Sequence, residues 1–213
     1  MYELGQLVKY NGDYLYYRIP APPEYIISKK LFSTAEIRIN DERKLSPTQR
    51  AAIYATLNDI SNHTGYMPEE AKQIMKYYFI SRYGGDYFSL SGCDMTLARN
   101  FLEFLIEFCL EHDISTQDSL LERSPDIARY IYACSMNKKC CITGKNAQLH
   151  HVDAVGMGRD RKDIIHKGMR VMPLHWKLHA EVHNTGKKQF EEKYHVFGIR
   201  VDDDICRVWK LKG

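Results

Sequence analysis

The sequence predicts an α+β fold: a mixed N-terminal module of β-hairpin and strands followed by three helices, joined to a small C-terminal module of short strands and helices. Three observations predict it. The first forty residues carry β-prone runs broken by turn residues, and residues 47–112 carry three capped, apolar-periodic helical stretches. Beyond a polar stretch at 115–124 the segments become short and rich in histidine. Charge divides at the same place: residues 1–124 hold 13 Lys+Arg against 17 Asp+Glu, residues 125–213 hold 17 against 10, and seven of nine histidines lie in the second part. A uniformly acidic or basic particle is excluded, and the second part is the one suited to meet anions. We place two domains at 1–120 and 121–213.

Taken in order, the run LVKYNGDYLYYRI has Asn11-Gly12 between two β-prone segments, which predicts a tight type I′ hairpin. A further strand is expected at Ala35 to Asn40. Ser46-Pro47 opens a helix over 47–62 with Ile53, Leu57 and Ile60 on one face, stopped at Gly65. Pro68-Glu69-Glu70 opens a second helix to about Arg82, ended by Gly84-Gly85, with a short extended piece at Tyr87 to Leu90. A third helix runs from Met95 to His112, capped by Asp94. Its polar positions Arg99, Glu103, Glu107 and Glu111 recur every four residues and leave the rest apolar, so it reads as a core helix, with a dimer interface as the alternative.

In the second module, Ser124-Pro125 begins a helix to about Met136, residues 148–153 are extended, and Val171 to Leu174 form another short strand. A helix follows from His175 to Asn184, then one over 187–195, then a terminal strand pair around Ile199 and Val208. His63 and His112 read as helix-end caps, His166 and His195 as surface residues, and Asp202-Asp203-Asp204 as a solvated turn. Twelve of the 15 tyrosines lie in the first module; Tyr10, Tyr14, Tyr16 and Tyr17 suit either a base-stacking platform or ordinary cross-strand packing.

Neither a secretory leader nor an apolar run long enough to span a membrane is recognisable, so an intracellular, cytoplasmic setting and no membrane partner are expected. Six cysteines, two of them adjacent at Cys140-Cys141, make a poor disulfide framework and suggest free thiols or metal ligands.

The chemical signal lies in three pieces: His150-His151, the segment Met172-Pro173-Leu174-His175, and His179-x3-His183. Histidines four apart share one helix face and could grip one divalent ion, with His150 as a third nitrogen; three ligands with open positions are the catalytic form of a metal site. His151 then remains free to activate water, while the cation stabilises charge developing on a phosphodiester. Arg159, Arg161, Lys162, Lys167 and Arg170 could clamp the flanking phosphates. Asp153, two residues after His151 on an extended segment, could orient it.

From Cys140 to Asn184, the stretches CCITGK, QLHHVD and RVMPLHWKLHAEVHN resemble the HNH endonuclease motif, a ββα-metal finger related to treble clefs. The resemblance implies His150, His179 and His183 as metal ligands, His151 as general base, and a divalent cofactor (Mg, Mn, Ni or Zn). The central Asn of that motif falls at Arg170 or Met169, and Arg170 offers donors without an acceptor. The second knuckle cysteine is Thr143, so a structural zinc would need Cys140 or Cys141, His175 and Cys206; buried free thiols are the preferred reading.

The first module, through KLSPTQRAAIYATLNDISNHTGY and FSLSGCDMTLARNFLEFLIEFCLEHDI, is similar to the phage lambda Orf family of recombination mediators. That likeness implies a homodimer in the host bacterial cytoplasm, single-stranded or branched DNA, and contact with the host single-strand-binding protein. The first expectation is therefore a metal-dependent HNH endonuclease of phage DNA recombination or replication. The alternatives are a non-catalytic mediator whose degenerate finger binds DNA, and a zinc-stapled protein-interaction module.

Overall fold

The computed structural model describes residues 6–18, 44–153 and 165–213. The chain is mixed α and β: eight helices and two small sheets stand among the described residues. Strands β1 (Gln6–Tyr10) and β2 (Leu15–Arg18) pair antiparallel as the expected hairpin. Its loop departs from expectation. Tyr10 pairs with Leu15, leaving four residues between, and of Asn11-Gly12 only Gly12 has positive φ (96°), whereas a type I′ turn needs both. The Asn11 side chain closes the loop instead, accepting from the Tyr14 N–H at 2.8 Å and the Asp13 N–H at 3.3 Å. The expected strand at 35–40 lies outside the described residues.

Helix α1 (Pro47–Thr64) starts in a reciprocal capping box: the Ser46 hydroxyl accepts from the Gln49 N–H at 3.1 Å, and the Gln49 amide oxygen accepts from the Ser46 N–H at 3.2 Å. It ends at Gly65 in the left-handed region. Helix α2 (Pro68–Tyr83) begins at Pro68 with Glu70 accepting from the Met67 N–H, and it ends at Gly84. Tyr87 to Leu90, expected to be extended, form no strand, yet Phe88 and Leu90 are buried there. Helix α3 (Met95–Glu111) is capped by Asp94, which accepts from the Leu97 N–H at 2.9 Å. Phe101 and Phe104 of α3 meet Phe79 of α2 edge-on at centroid separations of 5.5 and 5.7 Å, and Phe88 meets Phe101 at 5.3 Å, a geometry aromatic quadrupoles favour.

The polar stripe of α3 is not a solvent face. Glu103 is buried and forms an ion pair with Arg129 at 2.5 Å, while Glu107 accepts from the same guanidinium and from the Tyr83 hydroxyl. The stripe therefore receives α5 (Ile127–Met136), which carries Arg129. The start of α5 also moves: Asp126, not Ser124, caps it, accepting from the Arg129 N–H at 3.0 Å. Within the polar stretch 115–124, a single turn, α4 (Leu120–Arg123), places Arg123 in a buried pair with Asp59 of α1 at 2.6 Å.

Helix α5 packs on α3 with one side and on the second sheet with another. That sheet has the order β3 (Gln148–His151), β4 (Arg170–Leu174), β5 (Ile199–Arg200), all antiparallel. One buried cluster runs from Leu45 and Ile53 through Phe101, Ile131 and Cys140 to Met172, Leu174, Phe190 and Val196, crossing residue 120 without a break. Helices α6 (Trp176–Thr185) and α7 (Lys187–Tyr194) follow β4. The last segment corrects the sequence reading. Val208 belongs to a helix, α8 (Asp203–Trp209), and the three aspartates are its cap and first turn, with Asp202 accepting from the Ile205 N–H at 2.8 Å. Carboxylates suit a helix N-terminus, which outweighs the β-branched residues that suggested a strand. No helix among the described residues is long and apolar enough to cross a membrane.

Candidate metal centre

Strand register and helix periodicity build the centre. In β3 successive side chains take opposite faces, so His150 and His151 part company. His150 lies opposite Met172 of β4 and is buried at 6% exposure; its ring stands 5.0 Å from those of both His179 and His183, one turn apart on α6. The three residues each offer a ring nitrogen, all within 4.8 Å of one another, and form the one group of three donors that could hold a metal ion among the described residues.

Helix α6 begins where β4 stops. Pro173 and Leu174 finish the strand, and His175 is the N-cap, its own side chain making no capping bond. Leu178 and Val182, four apart, enter the core, which turns the next positions, His179 and His183, toward β3. The amide oxygen of Gln148 lies 3.0 Å from His179 Nδ1. As an acceptor it holds the proton on Nδ1 and leaves the Nε2 lone pair for a ligand, the arrangement by which a neighbouring group orients a metal-binding imidazole. Gln148 was not marked by the sequence; its position two residues before His150, on the same strand face, was the available signal.

Burial disfavours charge on two of the three histidines. Burial, then the neighbouring His179 and His183, pushes the His150 pKa down to about 4, and burial also lowers those of His179 and His151. His150 Nδ1 is buried and makes no hydrogen bond, a costly state for a neutral polar atom and one that a bound cation at this cluster would relieve through its imidazoles. The residues present therefore fit a divalent ion: three imidazoles and no carboxylate, a nitrogen set that suits zinc, nickel or copper better than magnesium.

His151 faces the other way. Its Nε2 lies 2.8 Å from Nδ1 of His166, a residue read from the sequence as a lone surface histidine. Asp153 does not orient His151. It takes Arg170 instead, accepting from the backbone N–H at 2.7 Å and from the guanidinium at 2.6 and 3.0 Å, while the Val152 N–H donates to the Arg170 carbonyl at 2.9 Å. The guanidinium holds the Asp153 carboxyl below the usual range. Both ends of the segment between β3 and β4 are thus tied together at the position where an Asn was missed.

The remaining expected residues distribute as follows. Arg159, Arg161 and Lys162 lie outside the described residues. Lys167 is exposed and paired with Asp203 at 2.6 Å. The zinc set does not assemble: Cys140 and Cys141 are fully buried free thiols, Cys141 pushed well above the usual range by burial, His175 sits at the helix cap, and Cys206 belongs to a separate cluster with Val171, Val201 and Ile205. Their backbones explain the knuckle: the Cys140 N–H donates to Lys145 and the Cys141 N–H to Pro173, so the pair staples the turn to β4.

A family model described as "Putative HNHc nuclease" matches residues 19–212, nearly the whole chain. No curated protein and no solved structure matches it.

Proposed function

Since the chain belongs to the HNHc nuclease family, whose members typically use a divalent metal ion, we propose that it is a metal-dependent DNA endonuclease built on a ββα-metal finger. The observation that carries this reading is the convergence of His150, His179 and His183 with an unbonded buried nitrogen among them. Held there, a zinc or nickel ion would supply Lewis-acid stabilisation of negative charge on the scissile phosphate and its leaving oxygen. His151 takes a proton from the attacking water. Its lowered pKa keeps it unprotonated near neutrality, the state a base requires. Arg159, Arg161 and Lys162 are proposed phosphate contacts. Lys167 and Arg170 would have to leave Asp203 and Asp153 to join them, so Arg170 is better read as a brace of the loop.

We propose phage DNA recombination or replication as the setting of this enzyme, on the resemblance of the first module to the lambda Orf family. Single-stranded or branched DNA is the proposed substrate, and a second copy and the host single-strand-binding protein are the proposed partners. In this reading residues 1–120 select the DNA or partner and 121–213 cut.

Incubating the protein with supercoiled plasmid and with single-stranded circles in Mg²⁺, Mn²⁺, Ni²⁺ or Zn²⁺ tests the proposal. Nicking is expected with wild type and is lost in His151→Ala and in His179→Ala/His183→Ala. A second reading is favoured by Arg170 at the Asn position: a mediator that binds DNA through its basic finger without cutting. Strongly salt-dependent DNA binding, no cleavage with any metal, and equal binding by His151→Ala would establish that one.

A further inference from the structure

His166 does not hang from a free loop. Its N–H donates to the Lys212 carbonyl at 2.8 Å, and its carbonyl accepts from the Met169 N–H at 3.0 Å. The turn between them is fixed by Gly168, whose φ is 83° and whose N–H donates to Val201 at 2.8 Å. The backbone of His166 is thereby anchored to the chain's last residues and to the start of α8. Its half-buried ring belongs to neither core cluster, and its centroid lies 4.9 Å from that of His151. The 2.8 Å nitrogen-to-nitrogen contact is what the anchored ring achieves.

Two neutral imidazole nitrogens at that distance share one proton, so one ring must donate and the other accept. If His166 donated, the His151 Nε2 lone pair would be occupied and its proton would sit on Nδ1, leaving no free lone pair for a reaction. If His151 donates, its proton sits on Nε2 and its Nδ1 lone pair is free; among the described residues that nitrogen makes no hydrogen bond. Only the second arrangement permits His151 to act as a base while the contact persists. On the nuclease reading above, we propose that His166 is the positioning residue of His151: it accepts from Nε2–H, fixes the ring, and presents the Nδ1 lone pair to the attacking water. The water proton passes to His151 Nδ1 as the water oxygen bonds to phosphorus and the P–O ester bond opposite it breaks; the departing alkoxide oxygen takes a proton from solvent, and the Nε2–H bond to His166 becomes charge-assisted without transferring its proton.

Asn and Phe substitutions separate this role from packing. His166→Asn keeps an acceptor near the Nδ1 position, whereas His166→Phe keeps the ring and removes the acceptor. Expected for His166→Phe is a loss of about 10- to 100-fold in kcat with KM and metal affinity unchanged, and recovery of most of it in His166→Asn. In the metal-free protein, the His151 nitrogen chemical shifts should report an Nε2–H ring in wild type and His166→Asn, and a tautomer mixture in His166→Phe. A wild-type His151 protonated on Nδ1, or a Phe variant with wild-type kcat, overturns the proposal. A wild type that cuts no DNA with any metal overturns the nuclease reading instead, and the catalytic step with it. The His166 contact is then judged on the nitrogen shifts, where an unchanged tautomer in the Phe variant refutes it.

Discussion

Acidifying the metal-free protein should destabilise it through His150, by an amount the structure sets. The ring is 6% exposed and lies against two other imidazoles, so its protonated form is disfavoured in the native state and its pKa falls from an ordinary 6.5 to about 4. The unfolded chain takes up that proton near the ordinary value. A depressed base has this sign: the native advantage is complete above pH 6.5 and is lost as the pH falls from there toward 4. Worked through the linkage relation, the loss reaches about 2 kcal/mol by pH 5 and about 3 kcal/mol at pH 4. His151 and His179 are depressed in the same direction, so they add to the slope in wild type. Urea unfolding at pH steps from 7.5 to 4.5, in wild type and in His150→Gln, isolates the His150 share as the difference between the two curves. The difference between their stabilities should be constant above neutrality and shift by about 2 kcal/mol between pH 7 and 5. Parallel curves over that range would refute the burial argument. Saturating zinc or nickel should postpone the wild-type loss to lower pH, because the ion and the proton compete for the same lone pairs.

Glu103→Ala should cost about 1–3 kcal/mol in urea unfolding, less than a broken two-member buried pair because Arg129 keeps Glu107; an effect under about 0.5 kcal/mol would show that the pair contributes nothing. Because one buried cluster crosses residue 120, circular dichroism and Trp209 fluorescence, read in a Trp176→Phe background, should give one thermal midpoint. Two separated midpoints would mean that the two proposed domains unfold independently. Trp176 is 58% exposed and lies three and seven residues before His179 and His183 on α6, a place suited to stacking an unpaired base. Trp176→Ala should raise KM for single-stranded circles about tenfold and leave duplex plasmid less affected; equal effects on both would remove it from the substrate path.

What the sequence displayed was local. Caps at Ser46-Pro47, Pro68 and Asp94 and stops at Gly65 and Gly84 lie within a turn of the helices they bound, so those boundaries were readable to within a residue or two. The gathering of the three histidines was readable because it needs only a four-residue helical repeat and a strand laid antiparallel on the one leading into that helix. Features that depend on which distant surface arrives were not readable. Glu103 looks like solvent-facing charge until α5 brings Arg129 to it, and His166 looks solitary until Lys212 and Val201 fasten its turn beside His151. The strand reading of Val208 failed in a different way. Ile205, Val208 and their neighbours suit a strand by composition, and the three preceding aspartates suit a turn as well as a cap, so no local signal separated the two.

The placement of the histidine pair also explains why this centre can be both buried and reachable. Along α6 the core-facing positions are Leu178 and Val182, and His179 and His183 follow each by one residue, rotated by about 100° around the helix. That rotation puts them at the edge of the packed face, beside β3 and short of full solvent exposure. His150 reaches them from a strand whose partner, β4, is buried through Val171, Met172 and Leu174. The histidine on the strand is thus backed by the core while the helical pair keeps an open side, and burial is graded across the centre: His150 is buried, His179 half-buried and His183 exposed. A closed structural site would bury all its donors; this gradient leaves the outer positions of an ion facing outward, where a phosphate could enter. If the gradient is what matters, burying the open side should convert the site. A bulky Ala180→Trp, on the exposed side of α6 three residues before His183, would tighten zinc retention while slowing cleavage, and faster cleavage with looser zinc would contradict the assignment of that side as the entry.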